Sequence, residues 1–227
     1  MTAGTISYNT TTASSGGGVD ASINASGDSI VNISGGTICY NEASGSGGGI
    51  VIVSSSTVIE NCTIWGNSAA TDGGGIQILG AYSPTIKNCT ISENTALAGS
   101  GGGISISSPF RDIGNPKIYG CIIVGNTGSG GRDEFFSDDD VVYTESDNLI
   151  DSVIDPDDVF IDSAPADNGG PTKTLMIDKT NNDTKLTVSS ISGWTLPEKD
   201  QRGYTRGAVT TYKGAVDPDG TEPPPSP

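Results

Sequence analysis

The sequence predicts an all-β chain: a right-handed parallel β-helix, a solenoid with about three short strands per coil, followed by a β-rich C-terminal cap. Three observations predict it. The phrase Thr-Ile-x-x-Asn recurs as Thr5-Ile6-Ser7-Tyr8-Asn9, Thr37-Ile38-Cys39-Tyr40-Asn41, Thr63-Ile64-Trp65-Gly66-Asn67 and Thr90-Ile91-Ser92-Glu93-Asn94, with the variant Ile122-Ile123-Val124-Gly125-Asn126. Between copies stands a glycine triplet with an apolar follower: Gly16-Gly17-Gly18-Val19, Gly47-Gly48-Gly49-Ile50, Gly73-Gly74-Gly75-Ile76 and Gly101-Gly102-Gly103-Ile104. The asparagines lie 32, 26, 27 and 32 residues apart. A period in that range means stacked coils, none of which buries its apolar face alone.

Each strand follows from a period of 2. After the triplets, apolar residues alternate as Val19/Ala21/Ile23, Ile50/Ile52, Ile76/Ile78 and Ile104/Ile106. Such short alternation bounded by glycine gives a strand with one face buried and one wet. A second column is Ile33, Ile59, Ile86 and Ile118, three residues before Gly36, Cys62, Cys89 and Cys121. The third is Ile6, Ile38, Ile64, Ile91 and Ile123. Parallel crossovers are overwhelmingly right-handed, which sets the winding, and coils should repeat at roughly 4.8 Å.

The turns follow next. Inward asparagines in register are expected to bond amide to amide from coil to coil, satisfying groups that burial would otherwise strand. The alternative is a row of ligand-binding amides. Three glycines in a row supply positive φ and close backbone approach at a corner. A phosphate-cradling loop would need a Lys-Ser/Thr and a following helix, and neither is present. Cys62, Cys89 and Cys121 each stand five residues before an asparagine and form an inward stack, with Cys39 on another column. In-register side chains sit too far apart for a favoured disulfide, and with no histidine a straight stack builds no tetrahedral metal site, so free buried thiols are expected.

The chain has 227 residues, 33 of them glycine, and a net charge of −16. Residues 1–127 carry 7 acidic and 3 basic side chains, and the remainder 20 and 8. That acidity argues against a nucleic-acid partner. No apolar run reaches the ~20 residues of a membrane span. No signal peptide precedes Ala3-Gly4-Thr5-Ile6, so the sequence is expected to start inside a longer solenoid. Coils are expected over residues 1–160, the cap over 161–218 and a stiff Pro-rich tail over 219–227. Within the later region, Val141-Val142-Tyr143, Asn148-Leu149-Ile150 and Lys185–Ser189 read as further short strands.

The glycine-triplet and Ile-x-x-Asn rhythm of residues 4–126 is similar to the repeats of the polymorphic outer-membrane protein family, with isoleucine where that family favours phenylalanine. A second set of residues resembles the C-terminal signature of the choice-of-anchor Q proteins. It comprises Asn148-Leu149-Ile150, Ala166-Asp167-Asn168-Gly169-Gly170-Pro171-Thr172-Lys173-Thr174-Leu175, Asp200-Gln201-Arg202-Gly203, Arg206 and Gly214-Ala215-Val216-Asp217. That family's Ser-Pro-Ala-Ile-Asp step is absent, and Leu175 to Trp194 is different material. The resemblances imply a bacterial secreted or surface β-helix, extracellular, with an anchoring module beyond it and no particular chemistry.

A search for an active site gives no catalytic, cofactor-binding or metal-ligating residue. A glycosidase needs two carboxylates about 5–9.5 Å apart. Asp20, Asp28, Glu42, Glu60, Asp72, Glu93 and Asp112 do not fall on adjacent positions of one face, and Lys87, Arg111 and Lys117 are the only bases in that region. The acidic turns Asp217-Pro218-Asp219-Gly220 and Asp155-Pro156-Asp157-Asp158 lack the ligand series of a calcium loop and read as solvated. Thr5, Thr37, Thr63 and Thr90 form an outward column, but the neighbouring column is too irregular for an ice-binding lattice. The balance is against an enzyme. The reading is a non-catalytic surface scaffold or adhesin-like β-helix, partnered by its own copies stacked end to end or by surface glycans. The rival is a polysaccharide-binding or pectate-lyase-like polysaccharide-degrading β-helix, with Trp65, Tyr40 and Tyr8 as sugar platforms that sit out of line with one another.

Overall fold

The computed structural model describes residues 1–22, 30–54, 56–108, 114–138, 141–178, 198–206, 213–216, 218 and 221. Ile23, Asp28, Arg111, Asp112, the strands expected at 185–189, the turn opening at Asp217 and the tail from 222 lie outside the described residues.

The strands stack into four parallel sheets, one strand from each coil. The triplet sheet holds Val19–Ser22, Ile50–Val53, Ile76–Leu79, Ile104–Ser107 and Phe135–Ser137. The lead-in sheet holds Asn32–Ser34, Val58–Glu60, Thr85–Lys87, Lys117–Tyr119 and Thr144–Ser146. The hydroxyl sheet carries the Thr-Ile phrase in Gly4–Ser7, Gly36–Cys39, Thr63–Trp65 and Thr90–Ser92, then Ile122–Val124 and Leu149–Asp151. Register follows the expected columns, with Ile38 opposite Ile64, Ile86 opposite Ile59 and Ile118, and Ile76 opposite Ile50 and Ile104. These isoleucines are fully buried, and Cys62, Cys89 and Cys121 fill the core beside them as free thiols.

One element goes beyond the three strands per coil read from the sequence. After each asparagine a two-residue strand pairs with its equivalents: Thr10–Thr11, Glu42–Ala43, Ser68–Ala69, Thr95–Ala96 and Thr127–Gly128. Two residues are too few to show alternation. Its last strand turns back antiparallel to Gly131–Arg132, which ends this sheet with a hairpin.

The asparagine ladder is continuous. The side-chain amide of Asn9 donates to Asn41 Oδ1 at 2.9 Å, Asn41 to Asn67, Asn67 to Asn94 and Asn94 to Asn126, each at 2.9 Å. Each acceptor oxygen also takes the backbone N–H of the asparagine before it, at 3.0–3.1 Å. The third triplet glycine makes room for this. A Cβ on Gly49, Gly75 or Gly103 would stand 2.9–3.1 Å from the amide nitrogen of Asn67, Asn94 or Asn126. Glu134 takes the corresponding place in the last coil, and its buried carboxylate accepts from Asn126 N at 3.0 Å and Nδ2 at 2.6 Å.

Replacing Asn94 by Leu removes the acceptor of two buried Asn67 donors. The expected cost is about 1–3 kcal/mol of unfolding free energy. Urea denaturation measures it, and an unchanged midpoint would refute the ladder as a stabilising element.

Candidate functional site: the covered face and the aromatic corner

The described residues of the segment expected as the C-terminal cap pack along the side of the stack. The outer face of the hydroxyl sheet presents Thr37, Thr63 and Thr90, then Ile122, Val124 and Leu149. The apolar end packs against Val159, Phe160, Leu175 and Ile177 to form a second core, with Trp65 and Ile154 at its margin. Farther along, polar groups dock one to one. Gln201 Oε1 accepts from Thr63 Oγ1 at 2.7 Å, while its amide nitrogen donates to Thr37 Oγ1 at 3.0 Å and Gly36 O at 3.1 Å. Ala215 N donates to Thr90 Oγ1 at 3.1 Å, and Arg206 reaches Asn61 Oδ1 at 2.9 Å. Thr37, Thr63 and Thr90 are therefore buried, and no open threonine lattice exists there.

Local chemistry shapes this strap. Asp200 Oδ1 accepts the N–H groups of Arg202 and Tyr204, and Oδ2 accepts Arg202 Nε at 2.9 Å and Nη2 at 2.6 Å. The Arg202 guanidinium lies 4.3 Å from the centroid of the Tyr204 ring. A buried, charge-assisted turn of this kind holds its geometry firmly, and here it aims Gln201 at the threonines. The Asp-Gln-Arg-Gly motif is thus the docking element of the tail.

Beside the strap, a groove of about 560 Å³ opens at one corner of the solenoid. Thr5, Ser7 and Tyr8 line one wall with Tyr40, and Asp167 and Lys173 of the tail line the other. Tyr8 and Tyr40 stack with centroids 5.0 Å apart and planes 13° off parallel, and Tyr40 meets Trp65 edge-on at 4.8 Å. The aromatics expected to be out of line form a contiguous column. Trp65 stands one residue earlier in its phrase than the tyrosines, yet the Tyr40 ring, packed beside Gly66, reaches it.

The carboxylates are also brought together differently from the sequence reading. Glu60 pairs with Lys87 on the lead-in sheet, the two being register neighbours. Glu93 does not stand apart: Asp155, Asp157 and Asp162 of the tail line the same cleft of about 260 Å³, together with Trp65 and Ser92. Sequence spacing held no signal for this meeting, because it joins a coil corner to a segment some 60 residues later. Among the described residues, none that lines that cleft is basic. Among the described residues, no group of three or more His, Cys, Asp or Glu is placed to hold a metal ion.

Residues 2–134, more than half of the chain, match the family described as right handed beta helix region. The chain belongs to the right-handed β-helix family. Neither a curated protein nor a solved structure matches it. The match covers the coils up to residue 134 and leaves the last coil strands, Phe135–Ser137, Thr144–Ser146 and Leu149–Asp151, and the strap outside it.

The buried thiols have a consequence for stability. Burial raises the Cys62 and Cys89 thiols well above their ordinary value of 9.0, with the adjacent thiol of the stack adding to the shift. Near neutral pH both folded and unfolded chains keep these protons, and the contribution is complete. Above about pH 9.0 the unfolded chain loses them first, so stability falls as pH rises. Urea midpoints are expected to drop between pH 8 and pH 10, less steeply in a Cys62→Ala/Cys89→Ala variant. An equal drop in both proteins would assign the alkaline sensitivity to other groups. A thiol reagent should leave Cys62, Cys89 and Cys121 unmodified until the protein unfolds.

Proposed function

We propose that this protein is an exported, non-catalytic β-helix scaffold of the bacterial cell surface, rigid and adhesin-like. The observation that carries the reading is the strap. It lies on the outer face of the hydroxyl sheet and covers Thr37, Thr63, Thr90 and the apolar end beyond them with hydrogen-bonded and apolar contacts, so that these residues are closed to a substrate and the face stays open at Thr5 and Ser7, where it borders the groove. The remaining titratable groups of the coils are dispersed: Asp20 on the triplet sheet, Glu42 on the short sheet, and Glu60 engaged with Lys87. The polar, acidic exterior and the resemblance to surface β-helix families with C-terminal anchors support an extracellular location. A ladder-bonded solenoid braced along one side suits a stalk that must hold a binding surface away from a membrane.

The rival reading is a polysaccharide-degrading β-helix, and the cleft with Glu93 is the place that favours it. Incubation with pectate, alginate and neutral polysaccharides, with and without calcium, separates the two. No unsaturated product and no new reducing ends are expected. Turnover of any substrate would overturn the scaffold reading.

The same reading includes end-to-end stacking of copies. Gly4–Ser7, Thr10–Thr11, Val19–Ser22 and Asn32–Ser34 are the edge strands of the four sheets; Met1 bonds the last of them at Asn32 O and Ser34 N, and the edges of the other three are where unpaired N–H and C=O groups are presented. Sedimentation equilibrium is expected to show mass rising with concentration, and a constant monomer mass would remove the filament from the proposal.

A further inference from the structure

The corner that precedes each ladder asparagine is left-handed in every coil, and its residues are not alike. Gly66 (φ 62°) and Gly125 (φ 74°) occupy it in two coils, Tyr8 (φ 57°), Tyr40 (φ 55°) and Glu93 (φ 57°) in the other three. Left-handed backbone suits glycine and is tolerated by asparagine and aspartate, but it strains a bulky side chain. The solenoid keeps that rule at its other corner, where Gly35, Asn61, Asn88, Gly120 and Asp147 are the left-handed residues. Two tyrosines at the first corner break it. Strained residues of this kind collect at ligand sites.

The tyrosines also remain wet. Tyr8 is 76% exposed and Tyr40 41%, although both are large rings. Their column borders the groove whose opposite wall is the tail, so the groove exists only where coils and strap meet. Its volume lies within the range of about 300–1,000 Å³ that small ligands fill. Its lining combines ring surface with hydroxyls at Thr5 and Ser7, a carboxylate at Asp167 and an ammonium at Lys173.

We infer that this groove binds a neutral saccharide, stacked on Tyr8 and hydrogen-bonded by Thr5, Ser7, Asp167 and Lys173. The negative face of an aromatic ring attracts the weakly positive C–H face of a pyranose, and the polar groups beside it accept and donate to ring hydroxyls. Charge selects the class. The chain carries a net −16, and the cleft next along the same corner is lined by Glu93, Asp155, Asp157 and Asp162. A uronate polymer lying along this corner meets like charge at close quarters, which costs affinity. A neutral chain meets donors and acceptors for its hydroxyls without that repulsion. This site deepens the scaffold reading, on which it rests, by giving the displayed surface a ligand.

The test uses the full chain with cellohexaose, laminarihexaose and mannohexaose as neutral probes and hexagalacturonate as the anionic one, in isothermal titration at low salt. At least one neutral probe is expected to bind saturably, and hexagalacturonate at least tenfold more weakly. A Tyr8→Gly/Tyr40→Gly variant carries the residue that the repeat itself uses at Gly66 and Gly125. It is expected to lose at least tenfold in affinity while its melting temperature stays level or rises. Absence of binding by all three neutral probes, equal or tighter binding of hexagalacturonate, or full affinity in the variant would overturn the groove. A steep fall in the variant's melting temperature would also overturn it, since the tyrosines would then be structural. Cleavage of a bound probe would sink the non-catalytic reading and leave the groove standing.

Discussion

Everything in this molecule is keyed to one line of amides. A buried asparagine has two donors and an acceptor to satisfy, and here the neighbouring coils satisfy them. From Asn41 to Asn126 each Oδ1 accepts two N–H groups from the coil before it, and each Nδ2 bonds the coil beyond it and a backbone carbonyl of the coil behind, as Asn67 does with Ile38 O at 2.9 Å. Coil spacing and register are thereby fixed at one corner to within a hydrogen bond. The glycine triplet is then a consequence. Its third residue faces both the amide and the carbonyl of the next coil: a Cβ on Gly49 would stand 2.6 Å from Gly75 O and 3.1 Å from Asn67 Nδ2. Its second would press on the backbone of the short strand, with a Cβ on Gly48 only 2.4 Å from Ser68 O. Asparagine and glycine columns are two halves of one constraint.

The ends of that line are where the constraint can be seen to relax. Beyond Asn126 the sequence supplies no further ladder asparagine, so the room in front of the third triplet position is free, and Glu134 occupies it. A glutamate in the glycine column looks like the end of the repeat when only the sequence is read. In the fold it continues the acceptor series for one more coil. The local signal was present in the Asp133-Glu134-Phe135 step that stands where a triplet and its apolar follower would be. It was hidden because the residue types differ while the geometric role is kept.

What was legible in the sequence is what repeats. Columns of isoleucine, cysteine and asparagine reveal themselves by identity at a fixed period, and the register of the three main sheets follows from them without ambiguity. The unrepeated contacts were not legible. The strap's place on the hydroxyl face depends on pairings such as Gln201 with Thr63, which recur nowhere in the chain. A weak trace existed: the outward column runs Thr37, Thr63, Thr90 and then turns to Ile122 and Leu149, and apolar residues on an outer face call for cover. Similarly, counting residues back from the asparagine puts Trp65 and Tyr40 at different positions. Space, not sequence offset, decides whether rings touch, and the Tyr40 ring, packed beside Gly66, reaches Trp65 despite the offset.

The two left-handed corners make the sharpest contrast in the molecule, since both lie under the same backbone demand. At one, before the cysteine column, every residue is glycine, asparagine or aspartate, the types that tolerate positive φ. At the other, that list is broken by two tyrosines and a glutamate, while glycine in the alternate coils shows that the turn itself asks for nothing larger. A side chain that fold stability alone would not choose is retained three times, always at the corner flanked by the strap. The rings of Tyr8 and Tyr40 border one pocket there and the carboxylate of Glu93 borders the next. Local consistency elsewhere in the chain makes this inconsistency informative, because sequences depart from their own structural rules chiefly where a surface has work besides folding.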